Sequence, residues 1–184
     1  MIFVLFLAAG LGAGVLRGGH LKHLAETPLR GLRLIVASCL THAVPAMVNP
    51  FWPWLVPPLR LPLLVASFVL GSAALLFNRR LPGVWVMWAG AFLNFIVMAA
   101  NDGRMPISIE RLRATGGAKL AQGIVEGKFF GHVALTQDCR LPMLSDVIGL
   151  GHGLSVPSIG DLVIGIGLML VVSGAMRQSW KMRA

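Results

Sequence analysis

The sequence predicts an all-α integral membrane protein, a helical bundle of about five transmembrane helices with an ordered extracytoplasmic cap between the last two. Three observations carry this expectation. Only 12% of the 184 residues are charged and 56% are hydrophobic, with a mean hydropathy of +0.77, whereas a soluble domain has about 25% charged residues. The apolar residues gather in runs close to the length of a membrane span. The basic residues, which set a net charge of +9, sit in short clusters between those runs, where topology signals belong. They do not form a basic helix with interleaved aromatics, which argues against nucleic acid as a partner.

The runs cover about 1–16, 32–48, 61–77, 82–100 and 158–176 of a single membrane domain, 1–184. A span needs ~20 residues, within a range of ~17–25. The first run is the shortest. It is not a standard signal peptide, because Arg17 and Lys22 follow it and no cluster of positive charge precedes it. Its Gly10, Gly12 and Gly14 fit close helix packing better than a nucleotide loop, because no strand leads into them. The second run holds His42 toward its outer end, three residues before Pro45. The link from Asn49 to Pro58 is stiffened by prolines, and Trp52 and Trp54 suit the membrane interface. The fourth run carries Asn94 at mid-span, where a hydrogen bond to a neighbouring helix is expected. Asn101, seven positions on, falls on roughly the same face.

Orientation follows from lysine and arginine. Arg17, Lys22, Arg30 and Arg33, then Arg79 and Arg80, then Arg177, Lys181 and Arg183 fall on one side of a five-span chain, with Glu26 as the single acid. The other side mixes seven basic with six acidic residues. The first side is therefore expected to be cytoplasmic, with the N-terminus outside and the C-terminus inside the bacterial cytoplasmic membrane. The cap then covers about 101–157. It opens with the turn Asn101-Asp102-Gly103-Arg104-Met105-Pro106. A short helix is expected over 109–115, with Ser108 as its N-cap and Gly116-Gly117 as its end. A second helical piece is expected over 118–126, with Phe129, Phe130 and Val133 docking on the membrane surface. The two cysteines, Cys39 in an apolar run and Cys139 in the cap, form no disulfide framework.

The residues with chemical potential are Asp146 and Asp161, 15 positions apart, at the entrance to the last run. A carboxylate there is costly without a partner or a task. Two carboxylates held together share a proton, one pKa rising and the other staying low, and such a pair can activate a water and protonate a leaving group. The plainer expectation is that each caps a helix. His42 is a proton relay or a buried neutral histidine satisfying the carbonyl that Pro45 frees. Arg104 and Arg140 are candidate partners for Asp102 or Asp146. His132 and His152 also lie outside, but no spacing motif makes a metal site of them, and no metal or cofactor is expected.

Asn101-Asp102-Gly103-Arg104-Met105-Pro106, Asp138-Cys139-Arg140-Leu141-Pro142, Leu144-Ser145-Asp146-Val147-Ile148 and Ser158-Ile159-Gly160-Asp161 resemble the characteristic segments of an uncharacterised family of bacterial polytopic membrane proteins. That resemblance covers essentially the whole chain and implies a membrane location without an activity. Asp146-Val147-Ile148 and the entry to the last run at Asp161 also resemble the two aspartate segments of bacterial lipoprotein signal peptidases, four-span aspartic hydrolases with an outward-facing site. Ser158 stands where those enzymes carry asparagine, and the first run has no counterpart there. The expected function is an accessory or scaffold protein whose cap binds a membrane-protein partner or a lipid. The alternative is an aspartate-dyad hydrolase acting on a lipid-linked substrate in the lipid bilayer, with Asp146 and Asp161 as the acid–base pair and Asn101 and His42 as supporting groups.

Overall fold

Each of the five apolar runs is a helix, and the ends fall at the proline, glycine and asparagine positions between them. The computed structural model describes residues 2–151 and 155–177. Lys181, Arg183 and His152 lie outside the described residues. In chain order the helices are α1 (Ile2–Leu16), α2 (Leu21–Ala25), α3 (Leu32–Val48), α4 (Val56–Phe77), α5 (Val84–Ala100), α6 (Ile109–Ala114), α7 (Ala118–Val125) and α8 (Ile159–Arg177). Two short strands, β1 (Met105–Ile107) and β2 (His132–Ala134), complete the cap.

The expected set of five full spans is narrowed. Among the described residues two helices are long and apolar enough to cross a membrane: α4, which with its preceding 3₁₀ turn runs Pro53–Phe77 over 25 residues, and α8, with 19. The helices α1, α3 and α5 are apolar but have 15, 17 and 17 residues. Their shortness is set by their ends. Gly83, at φ +90°, starts α5, and Asp102 and Gly103, at φ +55° and +76°, turn the chain just beyond it. The stiff link also differs from expectation, because Pro57 sits in the first turn of α4, where a missing N–H costs nothing.

The helices pack in a row, α3 on α4, α4 on α5, α5 on α8 and α8 on α1. Small residues bring α8 close to both its neighbours. A methyl group built on Gly10 of α1 would lie 3.0 Å from the Met169 carbonyl, and one on Gly90 of α5 would lie 2.5 Å from the Gly160 carbonyl. The α3–α4 contact is tied by Ser38 Oγ donating to the Ser67 carbonyl at 2.7 Å. Between α4 and α5, Phe68 stacks on Phe95 with centroids 4.3 Å apart, and Trp88 Nε1 donates to Ser72 Oγ at 3.1 Å. The outward faces stay apolar. In the most apolar stretches of α4 and α8 only 17% and 39% of residues are buried, whereas a core helix of a soluble protein would be mostly covered. Large side chains such as Val4, Met47, Val69 and Phe77 point outward, which associates the chain with a membrane.

The cap is built on a parallel pair, with Met105 opposite His132 and Ile107 opposite Ala134. Parallel strands need a crossover, and α6 and α7 supply it. Ser108 caps α6, its Oγ accepting from Arg111 N–H at 3.3 Å. Ile107, Leu112, Ala121, Ile124 and Val156 form the cap core. Both expected cap helices are present. The strand pair was not anticipated, since three-residue strands carry no readable alternation. Of the aromatics expected at the membrane surface, Phe129 packs against Gly123 of α7 while keeping 41% of its surface exposed, and Phe130 lines a small cavity with His42. Cys39 and Cys139 are both free.

Candidate functional site

Asp161 occupies the first turn of α8, and its surroundings begin with the residue just before that helix. Ser158 Oγ accepts from Asp161 N–H at 3.0 Å, and Asp161 Oδ2 accepts in return from Ser158 N–H at 3.3 Å. This is a capping box with aspartate in place of the usual glutamate. Capping uses only one carboxylate oxygen. The other, Oδ1, accepts from Asn94 Nδ2 at 2.8 Å, and Asn94 Oδ1 accepts from Ser158 Oγ at 2.8 Å. The expected interhelical hydrogen bond of Asn94 is therefore made, and its partner is the candidate aspartate itself. The close α5–α8 approach at Gly90 and Gly160 brings the two together.

Asp146 comes from the cap and is positioned by its backbone hydrogen bonds. Its N–H donates to the Pro106 carbonyl at 2.9 Å, and its carbonyl accepts from Ser108 N–H at 3.0 Å. These bonds make Asp146 a one-residue extension of the sheet, bridged to Ile107. Its side chain is 9% exposed, and Oδ1 is buried without a hydrogen-bond partner among the described residues. Burial pushes the Asp146 carboxyl up to about 7, and the nearby charge of Asp161 adds to the rise. The two aspartates thus stand close enough to influence each other, and among the described ion pairs neither meets an arginine.

His132, at the start of β2, places Nε2 3.7 Å from Asp146 Oδ2. The β1–β2 register puts it there, opposite Met105. Burial lowers the His132 pKa; the charge of Asp161 opposes that effect and His42 reinforces it. The shifts of Asp146 and His132 both favour the uncharged forms of this contact. The sequence singled out His132 only as a metal candidate without a motif. Its proximity to Asp146 depends on strand pairing, which left no sequence signal. The metal candidate His152 lies outside the described residues.

Asn101 touches neither aspartate. Its Nδ2 donates to the Val97 carbonyl at 2.7 Å and to the Arg140 carbonyl at 2.9 Å, and its Oδ1 accepts from Arg140 N–H at 2.9 Å. It clamps the segment leading to Asp146 onto the end of α5. Directly after the clamp Leu141 takes φ +54°, a left-handed conformation costly for a branched residue. Arg140 therefore engages Asn101 through its backbone, and Arg104 approaches Asp102 at 4.0 Å. His42 is exposed and makes no hydrogen bond among the described residues. It lines an apolar cavity of about 800 Å³ between the α3–α4 and α5–α8 pairs, with Asn94 also on its wall.

Comparison with known proteins agrees with this chain-wide pattern. A family model matches residues 26–173. The chain belongs to DUF5317, a family of unknown function. The match takes in α3 to α7, most of α8 and both aspartates. An uncharacterised protein of Thermotoga maritima is 28% identical over 155 residues, covering 83% of this chain and 79% of that one. No solved structure matches. Within DUF5317, then, the aspartate pair has no assigned role, and the likeness to lipoprotein signal peptidases rests on sequence motifs alone.

Proposed function

We propose that the chain is a multi-pass protein of the bacterial cytoplasmic membrane, N-terminus outside, and an aspartate-dyad hydrolase working at the outer membrane surface. The observation that carries this reading is that Asp146 is buried within reach of the charge of Asp161. They come from separate elements, interact through charge, and differ sharply in environment. Asp161, both oxygens accepting hydrogen bonds, is the base that takes a proton from water. Asp146, protonated up to about pH 7, is the acid that gives its proton to the leaving group as the water oxygen bonds to a substrate carbonyl. His132, against Asp146 Oδ2, is placed to return the proton. The exposed apolar faces of all five long helices support insertion of the whole row. The helices α3 and α5 reach the lower end of the span range, and α1 falls below it and rests on α8.

The test uses the protein in lipid nanodiscs with a total membrane extract as substrate pool, products being read by mass spectrometry. Hydrolysis products should form with the wild type and be absent with Asp146→Asn and with Asp161→Asn. A product set identical in all three would end the hydrolase reading. A second reading, a non-catalytic lipid-binding accessory protein, is favoured by the apolar cavity. It predicts bound lipid without turnover in the same experiment.

A further inference from the structure

The cavity between the helix pairs does not stop at His42. His42, Leu64 and Met98 line both the large cavity and a narrow recess of about 30 Å³ whose other walls include Arg60, Gly103 and Phe130. Arg60 begins the outer end of α4, and Gly103 packs on it so tightly that a methyl group there would lie 3.0 Å from Arg60 Cβ. The next residue is Arg104, near enough for its charge to act on Arg60. Both arginines have a buried Nε without a hydrogen-bond partner among the described residues. The counter-charge at hand is Asp102, 4.0 Å from Arg104 with 89% of its side chain exposed. Asp138 and Arg140 face Arg104 across a separate polar cavity. Three guanidinium groups and two carboxylates thus gather here, and two buried donors are without a partner among the described residues.

We infer that an anionic phospholipid occupies this cavity, its acyl chain between the helix pairs and its phosphate on Arg60 and Arg104. The apolar volume of about 800 Å³ lies within the roughly 300–1,000 Å³ of ligand sites. Guanidinium forks match phosphate oxygens and are the natural partners for an anion at a partly desolvated position. The inference rests on the membrane placement proposed above and not on the hydrolase chemistry.

The protein is reconstituted with equal amounts of phosphatidylglycerol and phosphatidylcholine of matched chains, and retained lipid is measured by native mass spectrometry. Retention of phosphatidylglycerol should exceed that of phosphatidylcholine by about tenfold, the size of a lost charge-assisted contact. The double variant Arg60→Gln/Arg104→Gln should bring the two lipids to parity, and Arg60→Lys/Arg104→Lys should keep most of the preference. If the double glutamine variant does not fold, Arg104→Gln alone decides, with Ala91→Phe in the cavity wall as the variant that should expel both lipids. Parity in the wild type, or a preference untouched by the glutamine variants, overturns the inference. So does thermal stabilisation by inorganic phosphate equal to that by phosphatidylglycerol, which would assign the arginines to free phosphate. Loss of the hydrolase reading through an inert Asp146→Asn leaves the lipid preference intact, so the two failures are distinguishable.

Discussion

The helical row and the cap each carry one aspartate of the proposed pair, and they hold it by opposite means. In the row, Asp161 is surrounded by side-chain and main-chain donors from Ser158 and Asn94. In the cap, Asp146 is fixed through its peptide groups, while one carboxylate oxygen is buried with no partner among the described residues. Two chemically identical groups therefore sit in surroundings that stabilise their charge unequally. In the proposed hydrolase an acid and a base are separated this way without any difference in residue type. The comparison also shows which contacts can be altered without moving the chain: those of Asp161 are side-chain contacts, whereas those of Asp146 belong to the sheet.

The largest effect that sharpens this comparison is on turnover. Replacing either aspartate by asparagine should lower hydrolysis by roughly 10²–10⁴-fold, and the wild-type rate should fall as pH rises through about 7, where Asp146 loses its proton. A rate flat from pH 5 to 9 would contradict the assignment of Asp146 as the acid. The next effect is on stability. Between the ordinary value of 3.8 and about 7 the folded protein holds a proton that the unfolded chain has released. Stability should fall as pH rises through that window and level off above it, by up to roughly 4 kcal/mol. Asp146→Asn should remove this slope and raise Tm above pH 7, as read by thermal unfolding in nanodiscs.

A smaller change breaks the row's side of the comparison. Gly160→Ala would drive its methyl group into Asn94 Oδ1, cost about 1–3 kcal/mol as overpacking, and unhook Asp161. Asn94→Ala, which removes the hydrogen bond without crowding, should reproduce the loss of activity with less loss of stability. On the cap's side, Asn101→Ala deletes three hydrogen bonds to backbone at Val97 and Arg140. It should cost about 1–3 kcal/mol and speed hydrogen exchange over 138–146 while leaving α8 protected. The proposed orientation has a direct check, because Cys139 should react in intact cells with a maleimide that cannot cross the membrane.

The row was largely legible in the sequence because long apolar runs bounded by proline and glycine have few alternatives. Helices α3 and α5 end within two residues of the expected limits. The start of α4 was misplaced because prolines at 57 and 58 read as a rigid link and instead form its first turn. The cap helix after Ser108 was legible through its capping residue. The β1–β2 pair was not, and with it went the placement of His132 beside Asp146, because strand register across a 27-residue separation is decided by the folded cap core. Asn94 was read correctly as an interhelical donor, but nothing in its local sequence points to a partner 67 positions away. The expected approach of Asn101 to the aspartates fails because the Val97 and Arg140 backbones together engage its amide.

The position of α8 in the row has a consequence for how the chain is made. Gly10 and Gly14 of α1 find their counterparts only at Met169, Val172 and Met176, more than 150 residues downstream. While the ribosome extends the chain, the small-residue face of α1 stays unmatched until α8 has been made. The arrival of α8 then joins α1 to α5 and delivers Asp161 to Asn94 in a single event, so a chain that stops short of α8 carries neither contact.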